Sequence, residues 1–450
     1  MAAEPGDRAV SSAQRQVWIL DRLHPGSAVY NVPLVHRIDG DLRAGLLEQA
    51  LTELLRRHEI LRTGYRVRSG ALRQFVRPAT PVRIPLADVS AYDDPEAEAD
   101  RRTAAEARRP FDLSTDPVIR PLLVRVAPRR HRLCLTLHHI ACDGWSLDIL
   151  QRELSALYTA LLAGSPPGLP PLREQYADYA EDQTARLTDR ALLAAREYWL
   201  KHLSGIRTPV TLPADRPRPP LRSFEGGHVR FTVDSAVTDR VALLARSCRA
   251  TPFAVLLAAF AALIRAEGGG DETVIGTPMT CRQRETQYAV IGMYVNTVVH
   301  RLRMSEAPTF RELVHLARDE SRQAMAHRAL PFEVLVEELN PARDPAFNPV
   351  FQLMFGYHEG DRTALVLPGC TVTTELGDTA TAKLDLSLSL TLSAGRYAGR
   401  LEYSTDLFTP ATAQRVADRF RTLLATATAD PLRPFENLPQ RAEGTTAGRR

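Results

Sequence analysis

HRLCLTLHHIACDGWSLDILQRELSALYTALLA, residues 131–163, decides how the rest of the chain is read. Its first seven residues alternate, placing Leu133, Leu135 and Leu137 on one face of a strand. Further on, Leu147, Leu150, Leu154, Leu157 and Leu161 recur at steps of three and four, the apolar stripe of an amphipathic helix. A period of two that hands over to a period of 3.6 predicts a strand, a short loop and a helix opening near Ser146. The loop is His138-His139-Ile140-Ala141-Cys142-Asp143-Gly144. Two adjacent histidines therefore stand at a strand end, where loops present functional groups.

A neutral imidazole there accepts a proton from an attacking amine or hydroxyl, or orients it by hydrogen bonding. Asp143 can hold the loop or a histidine in place, and Gly144 permits a turn that a side chain would obstruct. Two other readings fit the same residue types. Histidines near strand ends are often structural, and His, His and Asp are ordinary metal ligands. Nothing marks Cys142 as an activated nucleophile.

Helix and strand signals alternate outward from this stretch, so the fold class is α/β or α+β. A helix is predicted through LRAGLLEQALTELLRRH, with Leu47, Leu51, Leu54 and Leu55 on its apolar side. Around 204–222 the prolines of SGIRTPVTLPADRPRPPLR forbid regular helix and favour an extended connector. The expected division is a first lobe at 1–180, a crossover and Pro-rich linker at 181–222, a second lobe at 223–438 and a disordered tail at 439–450. The second lobe carries an apolar helix in TPFAVLLAAFAALIRAEG and a strand through IGMYVNTVVHRL. Helices follow near 308–327 and 331–339, then strands near 350–357, 384–392 and 398–404, and a last helix near 410–429.

Composition excludes several classes. The 57 basic and 53 acidic residues leave a charge of only +4, and the basic residues are interspersed with acidic ones. With no helix-turn-helix or RNA-binding signature, no nucleic-acid partner is expected. Five scattered cysteines without a C-x-x-C pair point to reduced thiols and a cytoplasmic setting. MAAEPGDRAV lacks the apolar run of a signal peptide, and the apolar stretch 253–264 is too short to span a bilayer, so no membrane is expected. No G-x-S-x-G elbow is present, and neither Lys201 nor Lys383 follows a glycine as in a P-loop.

HHIACDGWS resembles the HHxxxDG motif of nonribosomal peptide synthetase condensation domains, which carnitine and chloramphenicol acyltransferases share in looser form. The resemblance recurs in order along the chain: SSAQRQVWIL (11–20), RRHEILRTGY (56–65), YADYAEDQ (176–183), IGMYVNT (291–297), HRALPFEVL (327–335), RDPAFNPVFQ (343–352), KLDLSL (383–388) and YSTDLF (403–408). It implies two chloramphenicol-acetyltransferase-like lobes in a V-shaped pseudo-dimer, with a central tunnel and a carrier protein at each mouth. It also implies natural-product chemistry, the transfer of an acyl group from a phosphopantetheine thioester to an amine or hydroxyl.

Carried over residue by residue, His139 matches the base or positioner of the nucleophile, and His138 the more structural first histidine. Asp143 matches an aspartate that pairs with an arginine, at Arg282 here; a carboxylate so paired is a poor base. Gly144 matches the glycine that keeps the tunnel open, and Asn348 a polar residue near the site, although an Asn-Pro turn explains it equally well. Cys281 departs from the usual glycine before the arginine. No metal and no intrinsic cofactor are implied, only the phosphopantetheine arm of a partner carrier protein. No adenylation domain or carrier motif lies within the 450 residues, so the expectation is a free-standing enzyme with its carrier in trans and a small or carrier-bound nucleophile. The rivals are a coenzyme A-dependent acyltransferase of the same fold and a non-catalytic carrier-docking module. Epimerisation is disfavoured because DGWS resembles the condensing subtype, and heterocyclisation because the first histidine is not replaced by aspartate.

Overall fold

The alternating leucines form a strand from Arg130 to His138 in the structure, a computed structural model that describes residues 6–434 apart from 189, 207–208, 342–343 and 361–362. The expected tail at 439–450 and Arg343 of the 343–352 stretch lie outside the described residues. Leu133, Leu135 and Leu137 are fully buried, and so are Cys134 and Thr136 on the opposite face. The second face is covered because the helix Pro95–Arg108 packs against this strand.

The chain gathers into two units. Unit 1 comprises Met1–Asp189 with two later stretches, Thr280–Val295 and Arg362–Thr379. Unit 2 comprises Arg190–Met279, Asn296–Asp361 and Ala380–Arg450.

In unit 1 the motif strand Arg130–His138 is central in a five-stranded sheet. The order is Cys370–Leu376, Asn31–Gly40, Arg130–His138, Ile119–Ala127, Leu86–Asp88. It runs antiparallel to both neighbours, with Asn31 opposite His138 and Ile119 opposite Leu137. The motif helix Gly144–Ala163 packs on the helix Ala44–Arg57. Leu47, Leu51 and Leu54 from one, with Leu147, Leu150 and Leu154 from the other, join a single apolar core. Each leucine so buried contributes roughly 1.5–3 kcal/mol, before the entropy of fixing its rotamer. Gly164 ends the motif helix at φ 64°, a conformation that costs glycine nothing, and its N–H closes on the Ala160 and Leu161 carbonyls.

Unit 2 is built on a six-stranded mixed sheet ordered Val295–Arg303, Glu272–Thr280, Leu353–Glu359, Leu386–Ser393, Arg396–Ser404, Gly226–Val233. The helices Ser235–Ser247, Phe310–Ala326 and Pro410–Ala429 surround the helix Pro252–Ile264, which is apolar all round and buried. Pro252–Gly269 is the single helical stretch among the described residues apolar and long enough to cross a bilayer, and its burial makes it a core helix. Mixed sheets covered by helices in both units are the α/β class predicted from the sequence. The described residues of 204–222 form neither helix nor strand. The strand predicted through 291–302 begins only at Val295. The preceding residues bond to side chains of the motif loop instead of to a ladder.

Two buried histidines contribute to the response to acid. His36 lies in unit 1 with Nδ1 2.8 Å from Thr374 Oγ1, and His300 lies fully buried in unit 2 beside Phe253. Desolvation disfavours the imidazolium and pushes His36 down to about 4 and His300 to about 3, with His202 adding a smaller push on His300. An unfolded chain protonates both near the usual ~6.5. Below that pH the unfolded state binds more protons than the folded one. The stabilisation is therefore complete above ~6.5 and is lost as pH falls towards the folded values, at up to about 1.4 kcal/mol per pH unit for each histidine. Melting temperature is expected to drop steadily between about pH 6.5 and 4.5, and His300→Phe to flatten that slope. An unaltered slope in the variant would take His300 out of the account.

Candidate active site

The motif strand delivers its last residues into a loop clamped on both sides. His138 N–H donates to Val118 O and His139 N–H to Tyr30 O, both at 2.8 Å. A short 3-10 turn, His139–Ala141, follows, closed by the Cys142 N–H on His139 O at 3.3 Å. His138 is buried, and its Nδ1 accepts the Ile140 N–H at 3.2 Å. Of the seven motif residues, only His139, half-buried, and Gly144, exposed, reach the surface. Cys142 is buried with its Sγ 3.7 Å from His138 O, a packing position.

Asp143 caps the motif helix, which opens at Gly144 rather than near Ser146. One carboxylate oxygen accepts the Ser146 N–H at 2.8 Å and the Ser146 hydroxyl at 2.6 Å. The other accepts Arg282 Nη1 at 2.7 Å and the Tyr294 N–H at 3.0 Å. The two side chains are 2% and 0% exposed, so the pair is fully desolvated. Arg282 also donates to Gln287 O, Val290 O and Ser146 Oγ, and its guanidinium lies 4.1 Å from the Tyr294 ring centre. Both Asp143 oxygens are therefore engaged within a structural network. Among the described residues, no group of three or more His, Cys, Asp and Glu is placed to hold a metal ion.

The Thr280–Val295 stretch is tied to this loop at several points. Ser146 Oγ, whose proton goes to Asp143, lies 2.8 Å from Gly292 O and receives the Gly292 N–H at 3.0 Å. Gly292 itself lies against Tyr176, where an added Cβ would fall 2.0 Å from the ring. Tyr176 in turn donates to Met293 O at 2.9 Å and shares a hydrogen bond with Ser11 Oγ at 2.8 Å. Cys281, the departure noted above, is buried and donates its N–H to Tyr294 O.

Gly144 departs from the sequence reading, and Asn348 takes the Asn-Pro turn that the sequence offered as an equal alternative. Gly144 does not serve a turn forbidden to other residues. It is the first residue of a regular helix, its φ is not positive, and an added Cβ would meet no atom within 4 Å. Asn348 belongs to unit 2. Its amide donates to Pro349 O and Phe351 O, both at 3.1 Å, and its N–H to Gln352 Oε1, all within its own turn.

Ser146, Tyr294 and Asp21 were not singled out from the sequence, yet each touches the loop. The Asp21 carboxylate lies 3.7 Å from His138 Nε2. Only Ser146 left a signal, three residues after a capping Asp and just ahead of the leucine stripe.

Residues 5–444 match a family model described as Condensation domain. The chain is 39% identical over 426 residues to chondramide synthase cmdD of Chondromyces crocatus, covering 94% of this chain and 11% of that protein. It is 38% identical over 433 residues to phosphinothricin tripeptide synthetase PhsC of Streptomyces viridochromogenes, covering 95% and 40%. The chain thus spans well under half the length of these curated relatives. Among solved structures it matches the X-domain from teicoplanin biosynthesis, with TM-score 0.88 and 30% identity over 97% of this chain and 98% of the other. It also matches a starter condensation domain of rhizomide synthetase, with TM-score 0.83 and 23% identity over 96% and 97%.

Proposed function

This chain belongs to the condensation-domain family, and we propose that it joins a carrier-bound acyl thioester to an amine or hydroxyl, with His139 as the residue that receives or orients the nucleophile's proton. The observation that carries this reading is the difference in access within the motif. Asp143 is buried and engaged by Arg282, and His138 is buried, whereas His139 as a residue is only half-buried, with its Nδ1 on the buried side. A candidate base must be reachable by the proton it takes. The nucleophile attacks the thioester carbonyl, the C–N or C–O bond forms and the C–S bond breaks. The proton lost by the nucleophile passes through His139 to the departing sulfur, which leaves as a free thiol. Holding donor and acceptor together makes the step effectively unimolecular. Gly144 leaves uncrowded space beside the histidine loop, which suits a substrate arm.

The donor is proposed to be the phosphopantetheine arm of a carrier protein, so part of the binding energy comes from the carrier surface, remote from the reacting carbonyl. The same acyl group on a carrier is expected to react with a kcat/KM at least about tenfold above that on coenzyme A. Comparing the two donors, with amine and alcohol acceptors read by mass spectrometry, tests this. Equal values would move the protein to a coenzyme A-dependent acyltransferase. A second reading, a partner-recruiting module, is favoured by the likeness to the teicoplanin X-domain, which has been solved in complex with OxyB. The absence of product from every donor in that panel would select it.

A further inference from the structure

We propose that Asp21 is a positioning residue for His139, acting through the ring of His138; this rests on the reading of His139 given above. His138 Nδ1 accepts the Ile140 N–H at 3.2 Å. A ring nitrogen that accepts a hydrogen bond carries no proton, so a neutral His138 holds its proton on Nε2. That nitrogen faces Asp21 Oδ1 at 3.7 Å. The competing tautomer would set an Nδ1–H against the Ile140 N–H, donor against donor. The first bond of the His139–Ala141 turn would be lost, and with it the backbone that presents His139.

Asp21 favours the productive tautomer by offering Nε2–H an acceptor. The helix Ser12–Leu23 that carries it is anchored by a reciprocal capping box between Ser11 and Gln14, and Gln14 donates to the Tyr65 hydroxyl at 2.9 Å. The His138 ring is kept in place by Phe111, edge-on at 5.6 Å, and by Tyr30 at 6.1 Å. A cleft of about 570 Å³ runs past Asp21, Trp18 and Phe111. Because 3.7 Å exceeds a direct hydrogen bond, the carboxylate turns onto Nε2–H or reaches it through one water. In the mechanism proposed above neither group touches the substrate. Their effect is on how the turn holds His139.

Long-range proton–nitrogen correlation spectra of protein labelled with ¹⁵N-histidine, assigned by the signal lost in His138→Gln, read the tautomer directly. Wild type is expected to show His138 protonated on Nε2 alone, and Asp21→Leu to show a mixture. Turnover in Asp21→Leu is expected to fall about tenfold in kcat with KM unchanged, the pattern of a misplaced group rather than lost binding. Asp21→Glu and Asp21→Asn, which keep an acceptor, are expected to restore most of it. An Nδ1–H tautomer in wild type overturns the proposal, even if Asp21→Leu fails to fold. So does a folded Asp21→Leu with wild-type spectrum and kcat. The tautomer is read without turnover, so failure here is distinct from failure of His139 as base, which His139→Ala decides.

Discussion

Replacing His139 by alanine is expected to lower kcat by about 10²–10⁴, the usual worth of general-base assistance. Melting temperature should stay within a few degrees of wild type. The side chain is half-buried, and the clamp on its backbone, the N–H to Tyr30 O, survives the substitution. Stopped assays that follow thiol release, beside a thermal melt, separate the two effects. Turnover near wild type would end the proposal that His139 receives or orients the proton. A large fall in melting temperature would mean that the ring is a packing residue.

Asp143→Ala and Arg282→Ala are expected to fail for the opposite reason. Each leaves the partner's charge buried and uncompensated, which costs roughly 3–5 kcal/mol. For a unit of this size that is roughly 6–20 °C in melting temperature, or a collapse of soluble expression. The loss should exceed that of an ordinary cap, typically ~1 kcal/mol, because Asp143 caps the motif helix and also binds the Tyr294 N–H. An apolar double replacement, Asp143→Leu with Arg282→Met, should be less destabilised than the two single losses added together, since neither charge is left alone. A soluble, fully stable but inactive Asp143→Ala would instead assign the carboxylate to the chemistry.

The strand, loop and helix of 131–163 were legible because local periodicity switches from two to 3.6 across a few residues, and local periodicity is what a sequence displays. The partner of Asp143 was named only through family resemblance. Arg282 lies 139 residues away, and no pattern in either stretch points to the other. The 291–302 stretch was misread at its start for a related reason. Its apolar residues suit a strand, but Gly292 and Tyr294 give their N–H groups to Ser146 and Asp143. Gly144 was misread because a glycine in a loop suggests a special φ, whereas here it begins a helix.

The sequence by itself determined the class of secondary structure, the core leucines, the lack of helix and strand in the described residues of 204–222 and the loop that carries two histidines. These depend on side-chain polarity and on backbone preferences within about one turn or one strand. Tertiary structure alone decided that Thr280–Val295 and Arg362–Thr379 belong to unit 1. It also decided that Asp143 and Ser146 are buried within a network, that His139 keeps access, and that Asp21 faces His138. The physical reason is that burial and pairing of polar groups depend on which distant segments arrive beside them. A carboxylate, a hydroxyl or an imidazole has the same letter whether it is solvated, paired or poised.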